Sequence, residues 1–236
     1  MDRTRINNIV IDATRSVVQR GPFSGMKLIN KFSWGDGDIS TKLLGMYEQE
    51  LHAGICRLSA ESYNVIVDVG CAEGFDAVGL ARIFDKINLH AFDLNPQALN
   101  VAREAAEVNG VLERIRFEAE CTPAHLIQLS EEHHRGLAII DCEGYELELL
   151  CRSDVASALR KFDFIIECHD FINGNITPGI FAHYLPTHNI EIVWAGGRNP
   201  NEYPILANLT DPERWGLVNE NRMCRQHWLL MEAKTR

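Results

Sequence analysis

The sequence predicts an α/β fold: a doubly wound, mostly parallel seven-stranded sheet preceded by an N-terminal helical extension. Three observations predict it. From Asn64 onward, short β-branched runs alternate with stretches of helical periodicity, the pattern left by right-handed crossovers between parallel strands. Proline directly follows an oxygen-bearing residue at Asn95-Pro96, Thr122-Pro123 and Thr177-Pro178. Such pairs mark helix starts, where a missing N–H costs nothing and proline's φ is already helical. The last two strand-like runs have no obvious helix between them, so the final strand is expected to run antiparallel.

Taken in order, Ile6, Ile9, Val10, Ala13 and Val17 fall at helical spacing and predict a first helix, ended by the Gly/Pro-marked RGPFSGM. Leu43, Leu44, Tyr47, Leu51, Ile55 and Leu58 form a second stripe and predict one longer helix. Residues 1–60 are read as the helical extension and 61–236 as the main domain. With no low-complexity linker between them, the extension is expected to pack on the domain. The strands are NVIVDV, INLHAFD, RIRFEA, GLAIID, FDFIIEC, IEIVWA and RQHWLLM, and Ser153-Asp154 reads as a further helix cap. Residues 195–222, with Gly196, Gly197, Pro200, Pro204 and Pro212, read as a long irregular segment, which in a compact domain usually serves function.

Composition narrows the partners. A chain of 236 residues, 46% hydrophobic and 24% charged, suits one soluble domain with a large core. Against 33 acidic residues stand 23 basic ones, for a net charge of −10. That balance points away from nucleic acid and anionic membranes. No apolar run approaches the roughly 20 residues that span a bilayer, and the N-terminus lacks the signature of a signal peptide. Seven cysteines at scattered, non-CxxC spacing fit neither a disulfide framework nor a zinc site, so a cytoplasmic location is expected. A homo-oligomer is compatible with all of this.

The binding loop of such a sheet lies beyond the carboxyl end of its first strand, here Asp68-Val-Gly70-Cys-Ala-Glu73-Gly74. A P-loop would need GxxxxGK[ST], which is missing. A dinucleotide fingerprint would need glycine where Ala72 stands. S-adenosylmethionine carries no phosphate; it needs a tight turn at Gly70 and Gly74, and acids for its ammonium and ribose hydroxyls. Asp68 and Glu73 supply acids at the turn. Asp93, twenty-five positions after Asp68 at the end of the second strand, can accept both ribose hydroxyls, and Glu120 after the third strand is placed to approach the adenine edge.

The D-x-G-x-x-x-G turn resembles motif I of the class I methyltransferases, whose fold is Rossmann-like. After the fourth strand stands DxEGxE (Asp141, Glu143, Gly144, Glu146), and the fifth ends in E-x-H (Glu167, His169). Together these resemble the FkbM family of S-adenosylmethionine-dependent methyltransferases over residues 64–170, and LLGMYEQEL is similar to members with a helical extension. Two departures stand out: Ile139 occupies a frequent lysine position, and Ala72-Glu73 stands where asparagine is common.

The resemblance implies O-methylation of a hydroxyl on a small molecule or glycan. His169 then suits a general base, since its ordinary pKa is near ~6.5. Asp141 and Glu167 are left to orient it, bind the acceptor or act as base, and Glu143 enters through the motif. Glu143 and Glu146 also read as first-turn helix acids. Asp141, Glu167 and His169 can equally hold a divalent metal, although magnesium prefers an all-oxygen shell. Helix capping and core packing compete for the same three residues. The Tyr47-Glu48 helix and the loop around Arg198, Glu202 and Tyr203 are placed to close over the acceptor. Two other classes remain open: an NAD-dependent dehydrogenase or epimerase, and a non-catalytic cofactor-binding module.

Overall fold

The computed structural model describes residues 2–32, 38–220 and 222–235. The β-branched runs become β1 (Val65–Val69), β2 (Asn88–Phe92), β3 (Ile115–Glu118), β4 (Gly136–Ile140), β5 (Asp163–Cys168), β6 (His188–Trp194) and β7 (His227–Ala233). They form one sheet in the order β3-β2-β1-β4-β5-β7-β6. The first five pair in parallel; β7 inserts antiparallel between β5 and β6. The expected antiparallel last strand is therefore present. β4 lies beside β1, and β5 lies beyond β4.

Both sheet faces are covered, which is why the central strands read as continuous apolar runs. Period-two alternation sends Ile66, Ile139 and Ile165 to one face and Val67, Ile140 and Ile166 to the other. The first face is covered by α3 (His52–Leu58), α4 (Phe75–Ile83), α5 (Pro96–Val108) and the segment around Phe23 and Met26. The second carries α6 (Pro123–Glu132), α7 (Glu146–Leu150), α8 (Ser153–Ala158) and α9 (Ile176–Tyr184). A third cluster joins α1 (Arg3–Thr14), α2 (Ile39–Leu44) and α10 (Asp211–Leu217) through Ile6, Val10, Leu43, Leu206 and Leu217. The N-terminal segment thus shares cores with the main sheet. Among the described residues no helix is long and apolar enough to cross a membrane, and all seven cysteines are free.

Capping chemistry decides the helix starts. Asn95 accepts from the N–H groups of Gln97 and Ala98, and Thr122 makes a reciprocal box with His125. Thr177-Pro178 departs from expectation: α9 begins at Ile176, and the Thr177 N–H donates to Asp170 Oδ1 at 2.9 Å. A carboxylate seven residues back takes the capping role. Ser153 and Asp154 likewise lie inside the first turn of α8, behind Arg152 at the cap position.

The single long helix expected over 43–58 is also corrected. It breaks at Gly45 (φ +69°), where a Cβ would stand 2.2 Å from the Arg20 carbonyl oxygen. The reason is that one apolar stripe serves two cores. Leu43 and Leu44 fill the third cluster, whereas Leu51, Ile55 and Leu58 fill the first. Tyr47 and Glu48 fall in the connection, and Glu48 takes a left-handed backbone (φ +45°). The 195–222 stretch holds two short 3₁₀ turns and α10, whose cap is a Thr210–Glu213 box.

Candidate active site

Strand order reverses between β1 and β4, and their diverging carboxyl ends open a cavity of about 840 Å³. Its walls include Gly70, Glu73, Gly74, Asp93, Glu120, Asp141 and Glu143, so the structure brings these expected residues together. Asp68, Glu167 and His169 stand outside that lining.

The turn after β1 is fixed by close backbone approach. Gly70 has φ +87°, and a Cβ there would fall 1.6 Å from the Asp141 carbonyl oxygen. No other residue fits, and the contact ties the turn to the exit of β4. Ala72 also holds a left-handed backbone (φ +43°). Its N–H donates to Asp93 Oδ2 at 2.8 Å, while Asp93 Oδ1 accepts from Asn95 at 2.7 Å. Asp93 thus braces the turn and the start of α5. Each carboxylate oxygen keeps a further lone pair for a ligand hydroxyl.

Asp68 lies beneath this turn rather than on the cavity wall. It is 2% exposed, and its Oδ2 has no hydrogen-bond partner among the described residues. Burial, reinforced by the charges of Asp76 and Asp93, pushes its pKa well above the usual carboxylate range, partly offset by the Ala77 N–H. The side chain therefore supports the first turn of α4.

At the exits of β4 and β5 a second group assembles. His169 is 2% exposed, and its Nδ1 lies 2.7 Å from Oε1 of Glu146, which is fully buried. Burial raises the Glu146 pKa, but the His169 hydrogen bond and neighbouring backbone N–H groups outweigh it and hold Glu146 below its ordinary value. An ionised Glu146 must accept the Nδ1 proton, which fixes the tautomer and leaves Nε2 facing outward. Nε2 lies 3.4 Å from Glu143 Oε2 and 3.6 Å from Asp141 Oδ1. For His169 burial lowers the pKa, yet Glu146 and then Glu167 and Glu143 turn the balance upward. Burial, then the charges of Glu167 and Glu48, lift Asp141 well above the usual range.

Glu167 departs from its expected role. It lines a small void shared with Asp141, Asp76 and Glu48, and it pairs with Arg222. Arg222 also holds Glu48 at 2.8 Å and Glu220 at 3.1 Å, and stacks on Trp228 at 4.6 Å. The expected metal set is corrected accordingly: the atoms that converge within 4.8 Å belong to Asp141, Glu143 and His169, with Glu143 in place of Glu167. Glu143 has φ +52° and precedes α7, so it is no first-turn helix acid. Glu146 does open α7, but its side chain turns to His169, a role that sequence reasoning missed. Of the expected lid residues, Tyr47 reaches the cavity, and so does Glu220, which carries no such signal in the sequence. Arg198, Glu202 and Tyr203 do not; Arg198 instead anchors Glu50, Glu220 and the Met46 carbonyl.

Residues 66–163 match the family model described as a methyltransferase domain. A 57-residue stretch is 37% identical to the release factor glutamine methyltransferase of Dictyoglomus turgidum, covering 24% of this chain and 20% of that protein. The chain thus spans about a fifth of that relative's length. Among solved structures, precorrin-6y C5,15-methyltransferase from Geobacter metallireducens superposes with a TM-score of 0.51 at 14% identity, over 78% of this chain and 86% of its own. Cofactor-bound Rv0187 from MTB gives 0.51 at 12% identity, over 98% and 89%. These two likenesses establish the fold. Within that fold, residues 66–163 are the part that matches the methyltransferase-domain model.

Proposed function

We propose that this protein is an O-methyltransferase of FkbM type, moving a methyl group from S-adenosylmethionine to a hydroxyl on a small molecule or glycan. The observation that carries the reading is the meeting of two groups on one cavity wall. The glycine turn with Asp93 and Glu120 forms the cofactor half, and Asp141 and Glu143 adjoin it at the exit of β4, approached from the exit of β5 by the Glu146-backed His169. Methyl transfer is an in-line displacement at carbon. The acceptor oxygen bonds to the methyl carbon as the carbon–sulfur bond breaks, its electron pair staying on sulfur, and the hydroxyl proton leaves toward the Asp141–Glu143–His169 cluster. Asp93 would hold the ribose hydroxyls and Glu120 the adenine edge, in a chain acting on soluble acceptors in the cytoplasm.

Calorimetry with S-adenosylhomocysteine tests the cofactor half. Asp93→Ala should weaken binding at least tenfold, because a charged acceptor of two hydroxyls is worth about 1.5–3 kcal/mol; unchanged affinity removes the ribose assignment. His169→Ala should lower transfer of labelled methyl to a hydroxyl acceptor by about a hundredfold or more while leaving cofactor affinity within twofold. Equal loss of both would make His169 structural.

A further inference from the structure

We propose that Asp141, Glu143 and His169 bind one divalent first-row metal ion, of the manganese or zinc kind, on the cavity wall. Its use in catalysis rests on the methyltransferase reading; its binding does not.

With the Nδ1 proton donated to Glu146, the neutral imidazole presents a lone pair at Nε2. That atom faces Glu143 Oε2 at 3.4 Å and Asp141 Oδ1 at 3.6 Å, and makes a hydrogen bond to neither. Asp141 Oδ1 is shut off from solvent and has no hydrogen-bond partner among the described residues. Three lone-pair atoms aimed at one point repel unless positive charge sits between them. Ligands held about 2.0–2.2 Å from a common ion lie roughly 3.0–3.5 Å apart; the two separations from His169 Nε2 already match that spacing closely, and the two carboxylate oxygens, within 4.8 Å of each other, are left to close around the ion.

The surroundings fit the same occupant. A buried carboxylate holding the far nitrogen of the imidazole is the usual support of a metal-bound histidine, and Glu146 is 0% exposed. Imidazole disfavours magnesium and calcium, whereas the two carboxylates suit manganese, ferrous iron or zinc. Asp141 and Glu143 both line the cavity, so the remaining coordination positions open toward it. An ion there acidifies a hydroxyl placed beside it, and the exposed Glu143 (73%) offers the proton a path to solvent. The competing occupant of the same point is a proton on Nε2.

Titration of the full, metal-stripped chain with Mn²⁺ alone, followed by electron paramagnetic resonance, distinguishes the two. One Mn²⁺ should bind per chain, with nitrogen coupling from an imidazole. Glu143→Gln, an exposed change that leaves the melting temperature unaltered, should weaken binding at least tenfold, and His169→Gln should abolish the nitrogen signal. If neither Mn²⁺ nor Zn²⁺ binds saturably, or if affinity ignores Glu143→Gln and no nitrogen couples, the metal site is overturned. Calorimetry with S-adenosylhomocysteine on the same samples separates the failures. The nucleoside binding to a chain that holds no ion overturns the metal alone. An ion bound by a chain that ignores the nucleoside supports the metal and overturns the methyltransferase reading.

Discussion

The carboxyl edge of the sheet divides into two halves built on different principles. At the ends of β1 and β2, polar groups are held by neighbours close in sequence: Asp93 accepts from Ala72 and Asn95, twenty-one and two positions away. At the ends of β4 and β5, and around them, charges are buried together and drawn from distant segments. Arg222 meets Glu48 at a separation of 174 residues and Glu167 at 55, and Arg198 meets Glu50 at 148. The first half is a rigid cradle made by backbone geometry. The second is an electrostatic assembly whose members are stable only in each other's presence, because a buried charge without its partner is costly.

Backbone geometry tolerates no substitution where it is tightest, so the largest effect is expected from Gly70→Ala. The added Cβ would fall 1.6 Å from a backbone oxygen at φ +87°, which neither half can absorb without moving β4 away from β1. A loss above about 4 kcal/mol is expected, visible as a chain that fails to fold. Gly110 is the control. It has φ +68°, and nothing lies within 4 Å of where its Cβ would stand, so Gly110→Ala should cost only about 1–2 kcal/mol in melting experiments. Similar melting points for the two variants would show that the turn is not clamped against β4.

The electrostatic half is broken by Arg222→Met, which keeps bulk over Trp228 and removes the charge shared by Glu48, Glu167 and Glu220. Stability measured in urea at neutral pH should fall by about 3–5 kcal/mol. Adding Glu167→Gln should restore part of it, since one stranded carboxylate is then gone. An unaltered midpoint in the single variant would reduce the network to surface pairing.

This division also explains what is legible in the sequence. Strand positions, the Asn95-Pro96 and Thr122-Pro123 caps and the Gly70–Asp93 cradle follow from local rules: two-residue alternation, capping chemistry and turn conformation. The sequence misleads where a distant group overrides such a rule. Asp170 caps α9 ahead of Thr177, the Arg20 backbone forces the break at Gly45, and Arg222 pairs with Glu167 away from the Asp141–Glu143–His169 group. Glu146 lies within the motif yet reads as a helix-dipole acid, because nothing in its neighbours announces that His169 packs against it. Arg222 carries no local signal at all.

Asp76 joins the halves and gives the smallest and most specific prediction. It stands in the first turn of α4 and lines the void shared with Glu48, Asp141 and Glu167. Burial raises its pKa to about 6, with Lys42 opposing and Glu167 adding to the rise. The folded chain therefore holds this proton more tightly than the unfolded chain, whose aspartates titrate near ~3.9. Below about pH 4 both states are protonated and nothing is lost. Between about 4 and 6 the folded state retains a proton the unfolded state has released, so stability declines as pH rises; above about 6 the full penalty remains. Two pH units correspond to at most about 3 kcal/mol. Asp76→Asn should remove that slope from the pH dependence of the unfolding free energy and make the chain more stable at pH 8 than its parent. A variant that keeps the parental slope would mean that another carboxylate around the void, and not Asp76, holds the proton between the cradle and the charged assembly.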